Sequence, residues 1–178
     1  MNNRIENQNA LDIIKYWFKK CILEEEYFNK FICLWISFNC FFVAKFYEDA
    51  SKISKSDEPN ERDYLNIIEK EYAINFRHIL DDQKLLFDNF KYTIDKKDWC
   101  PGIIIDMRPY HRINRRGKAY SKVDSFHDYI DCIYQVRCNL FHGDKTPSND
   151  NDLNLVKSAY VSLEALIKKI YEFEHIGV

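Results

Sequence analysis

The sequence predicts an all-α fold, and three features of its 178 residues lead to that prediction. Only four glycines and four prolines are present, which favours long helices with few tight turns. Apolar residues recur at spacings of three and four through most of the chain, as expected for amphipathic helices. Aromatic residues make up 16% of the composition, so we expect much of the core to consist of Phe and Tyr. We predict that residues 1–178 form one helical domain.

The first two predicted helices contain the most apolar part of the chain. They cover residues 9–23 and 24–50, and the second is centred on FICLWISFNCFFVAKF. This apolar run of 16 residues is broken by polar ones, whereas a membrane span takes roughly 20 apolar residues. We therefore predict no membrane span but a core helix, which could also supply a dimer face. Asn39 inside it is either a satisfied buried amide or a group that orients a site.

Two shorter predicted helices follow a loop at residues 51–60. The first continues to about Leu80, and the second covers residues 81–92 with Asp81 or Asp82 as its N-cap. At the other end of the chain, a regular apolar stripe from Leu153 to Ile170 predicts a long final helix, with Ser148 or Asn149 as N-cap candidates.

Residues 93–122 break the helical pattern and concentrate positive charge. A short extended segment is predicted at 102–105, and no acidic residue occurs between Met107 and Val123. The basic residues of this loop are Arg108, Arg112, Arg115, Arg116, Lys118 and Lys122. Without these six, the rest of the chain has 20 basic and 28 acidic residues. Tyr110 and Tyr120 lie among them. Basic side chains together with aromatic ones are the usual combination in sites that bind single-stranded RNA. The alternative is a solvated basic loop.

The segment from 123 to 145 is predicted to be an amphipathic helix that stops at Gly143. Arg137 falls in the middle of its apolar face, where a guanidinium needs an anionic partner. His142 follows at the end of the helix, where the helix dipole favours a positive charge. This pair is the strongest functional indication in the sequence. A purely structural reading is that Arg137 bonds a core carboxylate and His142 caps the helix.

Arg137-Cys138-Asn139-Leu140-Phe141-His142 resembles the R-x4-6-H motif of the HEPN superfamily of small helical domains. The resemblance covers roughly residues 100–172. It implies a helical bundle in which the motif helix and the final helix form an antiparallel hairpin, with the basic loop before them. Many HEPN proteins are metal-independent ribonucleases, among them toxins of toxin–antitoxin pairs and phage-defence effectors. The family often has a polar residue directly after the arginine, whereas this chain has Cys138 there and Asn139 one position later.

The resemblance implies that Arg137 and His142 are catalytic and that two protomers form a composite site. The spacing of Arg137 and His142 agrees with a composite site, because residues five apart on a straight helix point about 140° away from each other. Either the helix ends before His142, or a second copy supplies half of the site. Three further residues are predicted to support the site: Tyr134 by orienting Arg137 or by contacting RNA, Asn139 beside the motif, and Lys145 by contacting phosphate.

The runner-up function is a catalytically silent HEPN-like module that binds a nucleotidyltransferase, an antitoxin or a nucleotide. Neither function requires a cofactor. No metal site is expected, and a zinc site in particular is not, since the six cysteines show no CxxC motif and no closely spaced histidines. The polar N-terminal residues show no signal peptide, so we expect a cytoplasmic protein with reduced thiols.

Overall fold

The computed structural model describes residue 5 and residues 7–82, 84–95, 104–105, 119–120, 123–142 and 145–178, and it confirms the all-α fold class. These residues form six helices and two short strands. The elements are α1 (Gln8–Leu23), α2 (Tyr27–Ile53), α3 (Glu61–Asp82), α4 (Lys84–Asp95), β1 (Ile104–Ile105), β2 (Ala119–Tyr120), α5 (Phe126–Phe141) and α6 (Asp150–Phe173).

The two strands are antiparallel neighbours, with Ile104 paired to Tyr120 and Ile105 paired to Ala119. The extended segment predicted near this position is therefore present at Ile104–Ile105. The basic residues between the strands lie outside the described part of the chain.

Helix α2 lies at the centre of the core, as its apolar sequence predicts. It packs against α1, α3 and α6. Its buried rings include Trp35, Phe38, Phe41 and Phe42, which contact one another and rings of the neighbouring helices. Among the described residues, α2 is also the one helix with the length and hydropathy of a membrane span, and half of its most apolar window is buried inside the fold.

Of the two predicted N-caps, one is confirmed and the other is wrong. Asn149 caps α6 by accepting from the backbone N–H groups of residues 151 and 152, as predicted. The predicted N-cap at Asp81 or Asp82 is wrong, since both residues belong to α3. No glycine or proline interrupts the chain there, so α3 continues past the expected boundary. For the same reason α2 continues to Ile53.

A buried polar cluster joins the end of α6 to α2 and α3. The Glu174 carboxylate accepts a hydrogen bond from the Tyr72 hydroxyl at 2.6 Å and forms an ion pair with Lys45. His175 then takes a positive φ of 56°, and the Ile176 N–H donates to the Tyr171 carbonyl. This is the hydrogen-bond pattern of a Schellman-type helix end. It brings Ile176 into the core.

Helix α5, which carries the Arg137 motif, is anchored on two sides by aromatic residues. Phe126 stacks on Phe76 of α3 with ring centroids 4.1 Å apart. Tyr129 packs against Phe87 and donates a 3.0 Å hydrogen bond to Ser162 of α6. These contacts fix the rotation of α5, so that Arg137 faces the start of α3.

Candidate functional site

Arg137 lies on α5 between a carboxylate and an aromatic ring. Its Nη2 atom is 3.1 Å from Oε1 of Glu61, the first residue of α3. Its Cζ atom lies 4.6 Å from the centre of the Phe141 ring, within cation–π range. The side chain is 24% exposed. The guanidinium therefore has the anionic partner that its place on an apolar helix face requires, and it still reaches the surface.

Glu61 is held by two further donors, both from α2. Trp35 Nε1 and Asn39 Nδ2 donate to the same oxygen, Oε1, at 2.9 and 3.1 Å. The amide of Asn39 therefore has a partner within the fold, and this partner is the carboxylate that binds Arg137. Sequence reasoning did not single out Glu61. The one available signal was that Arg137 needs an anion, and that signal does not select among the many carboxylates.

Two nitrogen atoms of Arg137 are not saturated by this ion pair. The Nε atom is buried and has no hydrogen-bond partner within the described structure. The Nη1 atom is 4.0 Å from the Cys138 sulfur, which is a weak acceptor. A buried donor without a partner is uncommon in native proteins, because it forfeits its hydration without compensation. Arg137 therefore retains capacity for a further acceptor.

His142 stands directly after the last residue of α5. Its φ and ψ are −88° and 4°, and its backbone N–H points at the Cys138 and Leu140 carbonyls. The side chain is exposed. In the described part of the chain, no hydrogen bond or ion pair of the imidazole ring is seen. Since α5 ends at Phe141, the 140° separation of a straight helix does not fix the direction of His142 relative to Arg137.

Tyr134 contacts a second arginine, which comes from α3. The Arg62 guanidinium lies over its ring at 4.6 Å and forms an ion pair with Asp131. Burial, together with the nearby Cys138 thiol, raises the pKa of Tyr134 to about 12, so the phenol stays neutral near physiological pH. Two arginines thus stack on aromatic side chains of α5, one on Tyr134 and the other on Phe141.

The two other supporting residues are engaged within the fold. Asn139 is buried and accepts a 2.8 Å hydrogen bond from Gln135 Nε2 one turn earlier. Lys145 is 2.7 Å from an Asp152 oxygen, and both side chains are mostly buried. Asp152 also accepts from the Thr146 N–H, so the pair anchors the turn that precedes α6.

The residues predicted to bind RNA lie outside the described part of the chain. They are Arg108, Arg112, Arg115, Arg116 and Lys118.

Comparison with protein-family models, with curated proteins and with solved structures finds no match for this chain.

Proposed function

We propose that this chain is a metal-independent endoribonuclease of HEPN-like fold that acts as a homodimer, with Arg137 and His142 as its catalytic residues. The observation that carries the proposal is the arrangement at the end of α5. A partly exposed guanidinium is fixed by an oriented carboxylate, and an exposed imidazole follows at the helix terminus. These two groups can supply the proton transfer and the charge stabilisation that RNA cleavage without a metal requires.

The proposed reaction is attack of the ribose 2′-oxygen on the adjacent phosphorus. The 2′-hydroxyl loses its proton, the bond from phosphorus to the 5′-oxygen breaks, and the departing 5′-oxygen gains a proton. His142 acts as the general base or the general acid, since imidazole titrates near neutral pH. Arg137 contacts the non-bridging oxygens and stabilises the charge that develops on them. The products are a 2′,3′-cyclic phosphate and a 5′-hydroxyl.

The homodimer is proposed because one copy offers a single Arg137 and a single His142 at the end of α5. A two-fold axis near this end would bring the same patch of both copies together. Phe141 supports this location, since its ring is 51% exposed beside Arg137 and would be covered by the second copy.

The rest of the proposed HEPN-like bundle rests on two features. The Tyr129–Ser162 hydrogen bond supports a hairpin of α5 and α6. The basic residues from Arg108 to Lys118, just before α5 in sequence, provide charge for RNA phosphates. We further propose that Lys145 contacts phosphate from its position at the turn before α6.

The second candidate function is a catalytically silent HEPN-like module that binds a nucleotidyltransferase, an antitoxin or a nucleotide. The ion pair with Glu61 favours this reading, because it already neutralises Arg137 within the fold. In this case the exposed end of α5 would be a contact surface and not a reaction centre.

The deciding experiment is cleavage of a labelled single-stranded RNA in EDTA. The wild-type protein is compared with His142→Ala and with His78→Ala, which removes an exposed histidine of α3 as the matched control. We expect cyclic-phosphate ends from the wild type and the control, and none from His142→Ala. Failure of the wild type to cleave at concentrations where it is dimeric would contradict the ribonuclease function and favour the binding module.

A further inference from the structure

We propose that Lys30 and Lys157 form a second phosphate-binding site for RNA, between α2 and α6. Each lysine lies over a tyrosine ring that belongs to the other helix, and Tyr27, Lys30, Lys157 and Tyr160 together are called the lysine–tyrosine cluster. The inference rests on the proposed ribonuclease function, because it extends the RNA contacts of that function beyond the end of α5.

The cluster is built from two matching pairs of residues. Tyr27 and Lys30 are three positions apart on α2, as Lys157 and Tyr160 are on α6, so each pair shares one face of its helix. The two rings contact each other, with centroids 5.9 Å apart. Nζ of Lys157 is 5.1 Å from the centre of the Tyr27 ring, and Nζ of Lys30 is 5.7 Å from that of Tyr160. Both distances are within cation–π range, so the two positive charges belong to one patch.

The two ammonium groups keep the capacity to bind an anion. A ring face attracts the charge of an ammonium group but does not saturate its three N–H donors. Within the described residues, neither Lys30 nor Lys157 has a hydrogen bond or an ion pair with a carboxylate. By contrast, Lys168 and Lys169 of α6 each pair with a glutamate of the same helix. An anion can therefore bind the cluster without displacing an internal partner.

The cluster is open to solvent on one side and anchored in the core on the other. Lys157 is exposed, and Lys30 and Tyr27 are half-buried. Tyr160 is buried, and its hydroxyl accepts a hydrogen bond from the Cys21 thiol. The buried ring fixes the position of the cluster, whereas the lysine side chains can reach a ligand.

The path of the chain places the cluster toward the end of the molecule where α5 stops. Tyr129, near the start of α5, bonds Ser162 in the middle of α6. Only eight residues separate the end of α5 from the start of α6, so α6 begins on the side where α5 ends. Lys157 follows that start by seven residues, which is about 10 Å along the helix. An RNA strand bound at Arg137 and continuing along α6 would therefore reach the cluster.

Phosphate is the group that two lysines at this distance would recognise. Lysine binds phosphate as a point charge and needs no fixed orientation of the anion. Contacts to phosphate position a strand and carry no sequence information. We therefore expect the cluster to increase the affinity for RNA of any sequence and to leave the choice of the cleaved bond to the end of α5.

The test is RNA binding by the full-length His142→Ala protein, called the parent protein, in which the RNA stays intact. A fluorescein-labelled oligouridylate is titrated in EDTA at several KCl concentrations, and its anisotropy gives the affinity. Each phosphate contact to a single strand adds about 0.7 to the slope of log K against log [salt], or about fivefold in affinity when salt falls from about 1 M to about 0.1 M. In the parent background, Lys30→Gln/Lys157→Gln should bind about 25-fold more weakly at about 0.1 M KCl, with a slope smaller by about 1.4.

Two control variants separate the cluster from a general loss of charge. Lys168→Gln/Lys169→Gln removes two charges from the same helix and should leave the slope unchanged. Lys30→Arg/Lys157→Arg keeps both charges of the cluster and should also keep the slope of the parent protein. Circular dichroism and urea unfolding check that each variant retains the fold and the stability of the parent protein.

Equal affinity and slope for the parent protein and Lys30→Gln/Lys157→Gln would overturn the proposal. The lysines would then be a contact between α2 and α6, or a surface for an acidic protein partner. Absence of RNA binding by the parent protein would overturn it too. The ribonuclease function is judged separately, because cleavage is measured with His142 in place: RNA that is bound by the cluster but not cleaved by the wild type contradicts that function alone.

Discussion

Glu61 is the residue on which the geometry of the Arg137 site depends, and its replacement gives the sharpest test. One oxygen of its carboxylate receives Trp35, Asn39 and Arg137 together. Glu61→Gln keeps an acceptor oxygen for the two neutral donors and removes the charge. Glu61→Ala removes the acceptor altogether.

The size of each effect follows from burial. An exposed ion pair contributes at most about 1 kcal/mol, whereas breaking a buried one costs about 3–5 kcal/mol. Because the side chains of Arg137 and Glu61 are 24% and 16% exposed, we expect Glu61→Gln to lower the free energy of unfolding by about 2 kcal/mol. In Glu61→Ala the Trp35 and Asn39 donors also lose their acceptor, at about 1 kcal/mol each, for a total near 4 kcal/mol.

The assay is urea unfolding followed by circular dichroism and tryptophan fluorescence. Glu48→Ala, an exposed glutamate of α2, is the control and should change the stability by less than about 0.5 kcal/mol. A double-mutant cycle of Glu61→Ala with Arg137→Met should give a coupling energy of at least about 1 kcal/mol. A coupling energy near zero, or a Glu61→Ala loss no larger than that of the control, would refute this account of the site.

Two further predictions concern the contacts that hold α5 and the turn before α6. Tyr129→Phe removes the hydrogen bond to Ser162, whose hydroxyl still donates to the Ala159 carbonyl. We expect the free energy of unfolding to fall by about 1 kcal/mol, which corresponds to a decrease of roughly 2–4 °C in Tm by calorimetry. An unchanged Tm would contradict this role of Tyr129. Lys145→Ala and Asp152→Ala each break the same partly buried ion pair, so both should lower the urea-derived stability by about 1–2 kcal/mol. A loss confined to one of the two would show that the pair does not act as a unit.

The fold class and the central position of α2 in the core could be predicted from the sequence, because composition and apolar spacing are read directly from it. It also indicated that Arg137 requires an anion, since that follows from the burial of its helix face alone. It did not identify Glu61, because the pairing depends on how α3 packs against α5. The contact between His127 and Glu69 could not be predicted either, because the two residues are 58 positions apart in the sequence.

The N-cap prediction at Asp81 or Asp82 failed because two sequence features, a capping preference and the lack of a helix breaker, apply to the same residues. Asp81 and Asp82 are good N-cap residues, but the helix before them has no breaker and includes them both. The absence of a helix breaker, which is itself a local property of the sequence, outweighed the capping preference of these two residues.

The polar cluster around Glu174 has a consequence for the order in which this protein can fold during synthesis. Lys45 on α2 and Glu174 are 129 residues apart. At a translation rate of about 5–20 residues per second, the ribosome needs roughly 6–26 s to make the intervening chain. For that time the face of α2 that α6 later covers has no partner, although it belongs to the most apolar helix described in the chain. Chaperones that bind nascent apolar segments therefore have access to this face of α2 before α6 covers it.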